Sequence, residues 1–295
     1  MTKSEKDWRE LYPFESKFAQ IGKHRMHYVD EGQGPVLMMV HGNPTWSFYW
    51  RDVIRSLSRN YRCIAVDNLG MGLSDKPQDY NYCLSNHIDN LVKLIEQLEL
   101  SDLTMMVHDW GGPIGLGAAN KVPERISRLV LSNTAAFPPP YVPQRIRLVH
   151  IPVFGSVAVR GLNLFCHAAN RMTTHRPGGL TSQEKAGYLA PYDNWKNRVA
   201  VYKFVMDIPR TTKHQSYETA AWLEKAMPQF ADRPALFVWG MQDWCFREEC
   251  IDRLQVMLPK AEVVKIQEAG HYVNEDATDQ VIEAFEQFLQ KTDDA

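Results

Sequence analysis

Apolar residues along the chain gather in short runs separated by amphipathic stretches. Residues 35–40 (PVLMMV) and 61–66 (YRCIAV) are β-like runs on either side of a helical stretch at 47–57. Leu84, Ile88, Leu91, Leu94, Ile95 and Leu98 then recur at helical spacing, and a third run, LTMMVH, fills 103–108. A helix over 113–121 and a run at 125–133 (RISRLVLSN) continue the alternation. Short continuous apolar runs suit strands buried on both faces, and strand–helix alternation implies a mostly parallel, doubly wound α/β sheet.

The rhythm stops at Ala136. Residues 136–223 hold a Pro-rich entry (FPPPYVP), helical stretches and many aromatics, but no β-like run. This segment reads as an inserted helical cap. The sheet pattern resumes at 235–240 (ALFVWG), passes a helix at 248–257 and a run at 262–266 (EVVKI), and closes with a helix over 276–291. The expected organisation is therefore a core in two parts, 1–135 and 224–295, around a cap at 136–223. A chain of 295 residues fits one such domain with an insertion better than two equal domains.

A formal net charge of −2 provides no global field to gather nucleic acid or anionic lipid, so neither nucleic acid nor membrane is expected as a partner. The five cysteines are odd in number and form no C-x-x-C pair, which points to reduced thiols in the cytoplasm and to no zinc or redox site. The first residues are charged, and no apolar run is long enough to span a bilayer. Nothing in these features implies a metal or a cofactor, and they do not address oligomeric state.

The segment 107–115 (VHDWGGPIG) carries the chemistry. An apolar strand ends in His108-Asp109, Trp110 and the glycines Gly111 and Gly112 follow, and a helix begins. That is the form of a nucleophile elbow, a strained turn whose tight packing demands small residues after the nucleophile. The plainer reading of Asp109 is a helix N-cap. Two further residues weigh against it. His271, in EAGHYVNED, lies between a run and the last helix, and Asp243, in GMQDW, directly follows the run ending near Trp239. Their order is nucleophile, acid, histidine. An orienting carboxylate fixes the imidazole tautomer so that Nε2 is free to take a proton. The alternatives are a surface histidine and a solvated loop aspartate. After the first run, VHGNPTW offers backbone N–H groups near Asn43 for an oxyanion hole, while the Asn43 amide and the Trp110 indole add two neutral side-chain donors. Packing for Trp110 and a turn role for Asn43 are the plainer readings.

On these residues the sequence resembles the α/β-hydrolase superfamily, and within it the haloalkane dehalogenases. The resemblance implies Asp109 as nucleophile, His271 as base and Trp110 as a halide donor, with Asn43 as the second donor. In that family the acid follows either of two strands. The earlier place here holds Asn133, so Asp243 is the implied acid. The implied reaction converts a small apolar halogenated substrate and water into alcohol, halide and a proton through an alkyl ester on Asp109, with backbone N–H groups near Asn43 and Trp110 holding the oxyanion. Apolar cap residues such as Leu162, Phe165, Trp195, Val205 and Trp222 are candidates for pocket lining or simple core.

Three alternatives stay open. Epoxide hydrolases share the HDWG motif and use paired cap tyrosines, for which Tyr141, Tyr188, Tyr192, Tyr202 and Tyr217 are available. Coelenterazine luciferases share the HGN and HDWG signatures. A non-catalytic relative that binds a small ligand is a different class, against which the intact Asp109, Asp243 and His271 argue. Fluoroacetate dehalogenases place an arginine where Trp110 stands.

Overall fold

A computed structural model describes residues 8–293 of the chain. It contains an eight-stranded sheet of order β1-β2-β4-β3-β5-β6-β7-β8. The strands are β1 Lys17–Ile21, β2 His24–Glu31, β3 Val36–Val40, β4 Arg62–Val66, β5 Leu103–Asp109, β6 Ile126–Thr134, β7 Ala235–Gly240 and β8 Glu262–Ile266. β2 runs antiparallel to both β1 and β4, and the remaining pairings are parallel. This is the mostly parallel α/β sheet expected from the strand–helix alternation, in the α/β-hydrolase fold that the resemblance implies. Every residue of β5 and β7 is buried, as central strands covered on both faces require.

β1 and β2 lie outside the expected pattern. They form an edge hairpin in which Ala19, Ile21, Met26 and Val29 are buried while Arg25 and Gln20 face out. β1 alternates buried and exposed residues, and the buried stretch of β2 includes His27 and Tyr28, so neither strand reads as an apolar run.

The longer helices are α1 Arg51–Leu57, α2 Leu84–Gln97, α3 Gly111–Lys121, α4 Leu164–Met172, α5 Ser182–Leu189, α6 Val199–Met206, α7 Tyr217–Ala226, α8 Glu248–Met257 and α9 Thr278–Asp293. α1 packs with α9, while α2, α3 and α7 pack together. The first turn of the stretch at 47–57 is a 3-10 helix, Ser47–Trp50. Among the described residues, no strand lies between β6 and β7. The chain between these two strands is helical, and it forms the cap. α7 continues to Ala226, and a 3-10 turn, Met227–Phe230, follows.

Polar contacts tie cap to sheet where the strands end. Trp46 Nε1 donates to Gly187 O at 3.0 Å, and Asn43 Nδ2 to Val201 O at 3.1 Å. A buried cluster adds charge. Arg51 is paired bidentately with Glu275, Tyr188 donates to the same carboxylate, and Glu184 joins Arg51 to Arg176.

Candidate active site

β5 ends in Asp109, whose φ of 52° lies in the left-handed region that costs a residue with a side chain. The turn is possible only because its neighbours are small. A Cβ on Gly111 would sit 2.0 Å from Val40 O, and one on Gly112 1.7 Å from Thr134 Oγ1. Gly42 meets the carboxylate itself, since a Cβ there would fall 2.0 Å from Asp109 Oδ1. Asp109 does not cap α3, whose N-cap is Trp110 with no side-chain cap bond. Its Oδ1 instead accepts the backbone N–H of Asn43 at 2.6 Å. Burial raises the Asp109 pKa, and the opposing pull of His271 and of the Asn43 and Trp110 N–H groups only partly offsets it.

His271 follows β8 in a buried loop. Its Nε2 lies 3.7 Å from Asp109 Oδ2, and its Nδ1 lies 2.8 Å from Asp243 Oδ2. The carboxylate at Nδ1 assigns the proton there, so the opposite nitrogen faces Asp109. Burial works against the charged imidazole, but the Asp243 charge and hydrogen bond outweigh it and the His271 pKa is raised. The ring stacks on Phe246, and His108 Nε2 donates to His271 O at 2.8 Å.

Asp243, in the turn after β7, is fully engaged. Its Oδ1 accepts from Cys245 N at 2.6 Å, while its Oδ2 accepts from Asn133 Nδ2 at 3.0 Å as well as from His271. Asn133 also exchanges bonds with the backbone of Gly240, donating to its O at 3.0 Å and accepting from its N at 2.9 Å. On the sequence, Asn133 marks only a missing carboxylate at the end of β6. The structure makes it the clamp beneath Asp243. Its amide at the end of the neighbouring strand is the signal that was available.

Asn43, Trp110, Asp109 and His271 line one cavity of about 210 Å³. Its remaining wall is largely apolar, with Phe165, Ala168, Met172, Val205 and Ile208 from the cap and Phe137 from the segment after β6. Of the cap residues singled out on the sequence, Phe165 and Val205 line this cavity, whereas Leu162, Trp195 and Trp222 are exposed. Trp110 Nε1 has no hydrogen-bond partner among the described residues, and its ring packs edge-on against Phe204. Asn43 spends one amide hydrogen on the cap, through Val201. Of the five cap tyrosines only Tyr141 reaches the cavity, and its hydroxyl donates to Cys245 O at 2.8 Å. Tyr188 and Tyr192 are buried in other contacts. Among the described residues, no cluster of three or more His, Cys, Asp or Glu is placed to hold a metal ion.

The arrangement is a buried carboxylate aimed into an apolar cavity, beside an imidazole with a fixed tautomer and near two neutral donors. It is equipped for nucleophilic attack on an uncharged alkyl electrophile. The α/β hydrolase fold family matches residues 35–278. A cis-3-alkyl-4-alkyloxetan-2-one decarboxylase of Shewanella oneidensis is 38% identical over 289 residues, covering 96% of this chain and 91% of the relative. A protein of the same name from Xanthomonas campestris is 39% identical over 90% of this chain and 92% of its own. Haloalkane dehalogenase 2 of Mycobacterium tuberculosis is 32% identical over 93% of this chain and 95% of its own. Among solved structures, haloalkane dehalogenase DbeA from Bradyrhizobium elkani superposes with a TM-score of 0.86 at 21% identity, covering 96% of this chain and 100% of that one, a likeness of fold. Sequence kinship, fold and family match agree: this chain belongs to the α/β-hydrolase superfamily and, within it, to the haloalkane dehalogenase family.

Proposed function

We propose that this chain opens and decarboxylates small-ring lactones of the cis-3-alkyl-4-alkyloxetan-2-one type, with Asp109 as nucleophile. The observation that carries the reading is the buried Asp109 carboxylate in a mostly apolar cavity, in a chain 38% and 39% identical to two decarboxylases of such lactones.

Asp109 attacks the saturated, alkyl-bearing ring carbon bonded to the ring oxygen, in line with that carbon–oxygen bond. The bond's electron pair leaves on the ring oxygen, so the ring opens to a free carboxylate and an alkyl ester on Asp109. In-line attack inverts the carbon. The new ester bond is thereby left antiperiplanar to the bond that carries the carboxylate. That bond's electron pair then forms the alkene, carbon dioxide departs, and Asp109 leaves with its own electron pair. Inversion followed by anti elimination preserves geometry, so a cis lactone yields a cis alkene. No water and no net proton are consumed. Trp110 Nε1 and the free N–H of Asn43 are donors for the developing carboxylate, and His271, held by Asp243, stabilises the returning Asp109 charge.

A second reading is the dehalogenation expected from the sequence, favoured by the unpartnered Trp110 indole N–H as a halide donor. There His271 takes a proton from the water that cleaves the Asp109 ester. The paired tyrosines that an epoxide would require do not line the cavity, so epoxide opening is the weaker reading.

Incubation with a cis-dialkyl oxetan-2-one, followed by gas chromatography, should yield the cis alkene. A parallel arm measures bromide released from bromoalkanes. Bromide without alkene would replace the first reading by the second, and a trans alkene would overturn the in-line step.

A further inference from the structure

The cap carries a crest of apolar side chains. Leu148, Ile151, Val153, Phe154, Val157 and Leu162 are between 45% and 75% exposed, on and around the consecutive short turns Leu148–His150, Phe154–Ser156 and Val157–Gly161. Trp195 extends it, since a Cβ on Gly161 would lie 3.7 Å from both the Trp195 ring and Val157. Contiguous exposed apolar surface of this kind marks an interaction face.

The charge along the segment that carries most of the crest is one-signed. Residues 136–183 contain five arginines and no aspartate or glutamate. Arg145, Arg147, Arg171 and Arg210 form no ion pair among the described residues, and Arg210 shares an open depression with Arg147, Leu148, His150 and Ile151. Arg160 stacks 4.6 Å above the Trp195 ring.

We infer that this crest seats the protein on an anionic phospholipid surface. Apolar side chains rimmed by arginine and tryptophan are what a protein lying in the headgroup boundary presents: the apolar tips enter the acyl edge and the guanidiniums meet phosphate. No helix among the described residues is long and apolar enough to cross a membrane, so the contact lies on the bilayer. A second copy is a poorer occupant, because a self-complementary contact would set unpaired arginines against one another. The formal charge of −2 pointed away from anionic lipid, but it averages over acids that lie elsewhere.

The crest also adjoins the cavity. Its wall includes Tyr141, Val142, Arg145 and Ile146, two residues before Leu148. An alkyl substrate dissolved in lipid would meet the mouth directly, a consequence that rests on the proposed function. The docking does not rest on it and is read without turnover.

The test is flotation of the full chain with phosphatidylcholine vesicles, with and without phosphatidylglycerol. The chain should float with the anionic vesicles and be released by salt. Val153→Glu with Phe154→Glu should abolish flotation, and Arg147→Glu with Arg210→Glu should reduce it about tenfold or more. Unchanged melting temperatures would show that these surface variants stay folded. Failure of the parent chain to float with either vesicle overturns the inference. So does a dimer in sedimentation velocity that the Val153→Glu, Phe154→Glu variant dissociates, because a second copy would then cover the crest.

Discussion

At the scale of single residues, Asp109 joins a conformational cost to a chemical role. Replacing it with asparagine keeps the shape and removes the proposed nucleophile. Alkene formation should fall by about 10⁴-fold or more, with the circular dichroism spectrum unchanged. His271 separates the two chemistries. In hydrolysis it must be neutral, so turnover of a haloalkane should fall as pH drops through its raised pKa, which lies above the ordinary value of 6.5. In elimination a protonated ring suffices, and lactone turnover should hold level over that interval until Asp109, whose own pKa is raised, takes up a proton. His271→Ala should accordingly trap an ester adduct with a haloalkane, visible by intact mass, and none with a lactone. Asn133→Leu removes the amide beneath Asp243 and leaves the buried Gly240 N–H unpaired, at a cost of about 1–3 kcal/mol. Its readout beyond stability is a His271 titration moved from that of the parent chain, followed by NMR.

At the scale of elements, the elbow depends on close approach between strands and helix. Gly111→Ala would drive a Cβ to 2.0 Å from Val40 O, where only backbone can yield. A destabilisation of about 1–3 kcal/mol or more is expected in urea unfolding. Gly22, in the β1–β2 turn, gives the contrast: its φ is +61° but nothing lies within 4 Å of an added Cβ. Gly22→Ala should cost only the backbone term, about 1–2 kcal/mol, and leave activity unchanged.

At the scale of the whole molecule, cap and core are joined by the Arg51, Glu275, Tyr188 and Glu184 cluster, four residues along the chain from His271. Removing one partner of a buried pair leaves a charge uncompensated, so Glu275→Ala should cost about 3–5 kcal/mol. Burial alone would raise the Glu275 pKa, but Arg51 and Tyr188 hold it below the ordinary value of 4.5. The stabilisation is thus present above pH 4.5 and lost as pH falls through the depressed value, which acid unfolding of the parent chain and the variant would compare.

Local patterns were enough for much of this. The buried central strands read as apolar runs because both their faces are covered, and the elbow read as such because its turn leaves no room for a side chain at Gly111 and Gly112. The order of Asp109, Asp243 and His271 is a property of the chain itself. The edge hairpin gives no apolar run because β1 has one wet face and the buried positions of β2 include His27 and Tyr28. Contacts between residues far apart in sequence were decided by folding alone: Asn133 beneath Asp243, the amide of Asn43 drawn to Val201, and four of the five cap tyrosines kept out of the cavity lining. Leu162 and Trp195 look like lining on the sequence and stand on the surface instead, because apolarity says that a side chain seeks to leave water but not which surface it will meet.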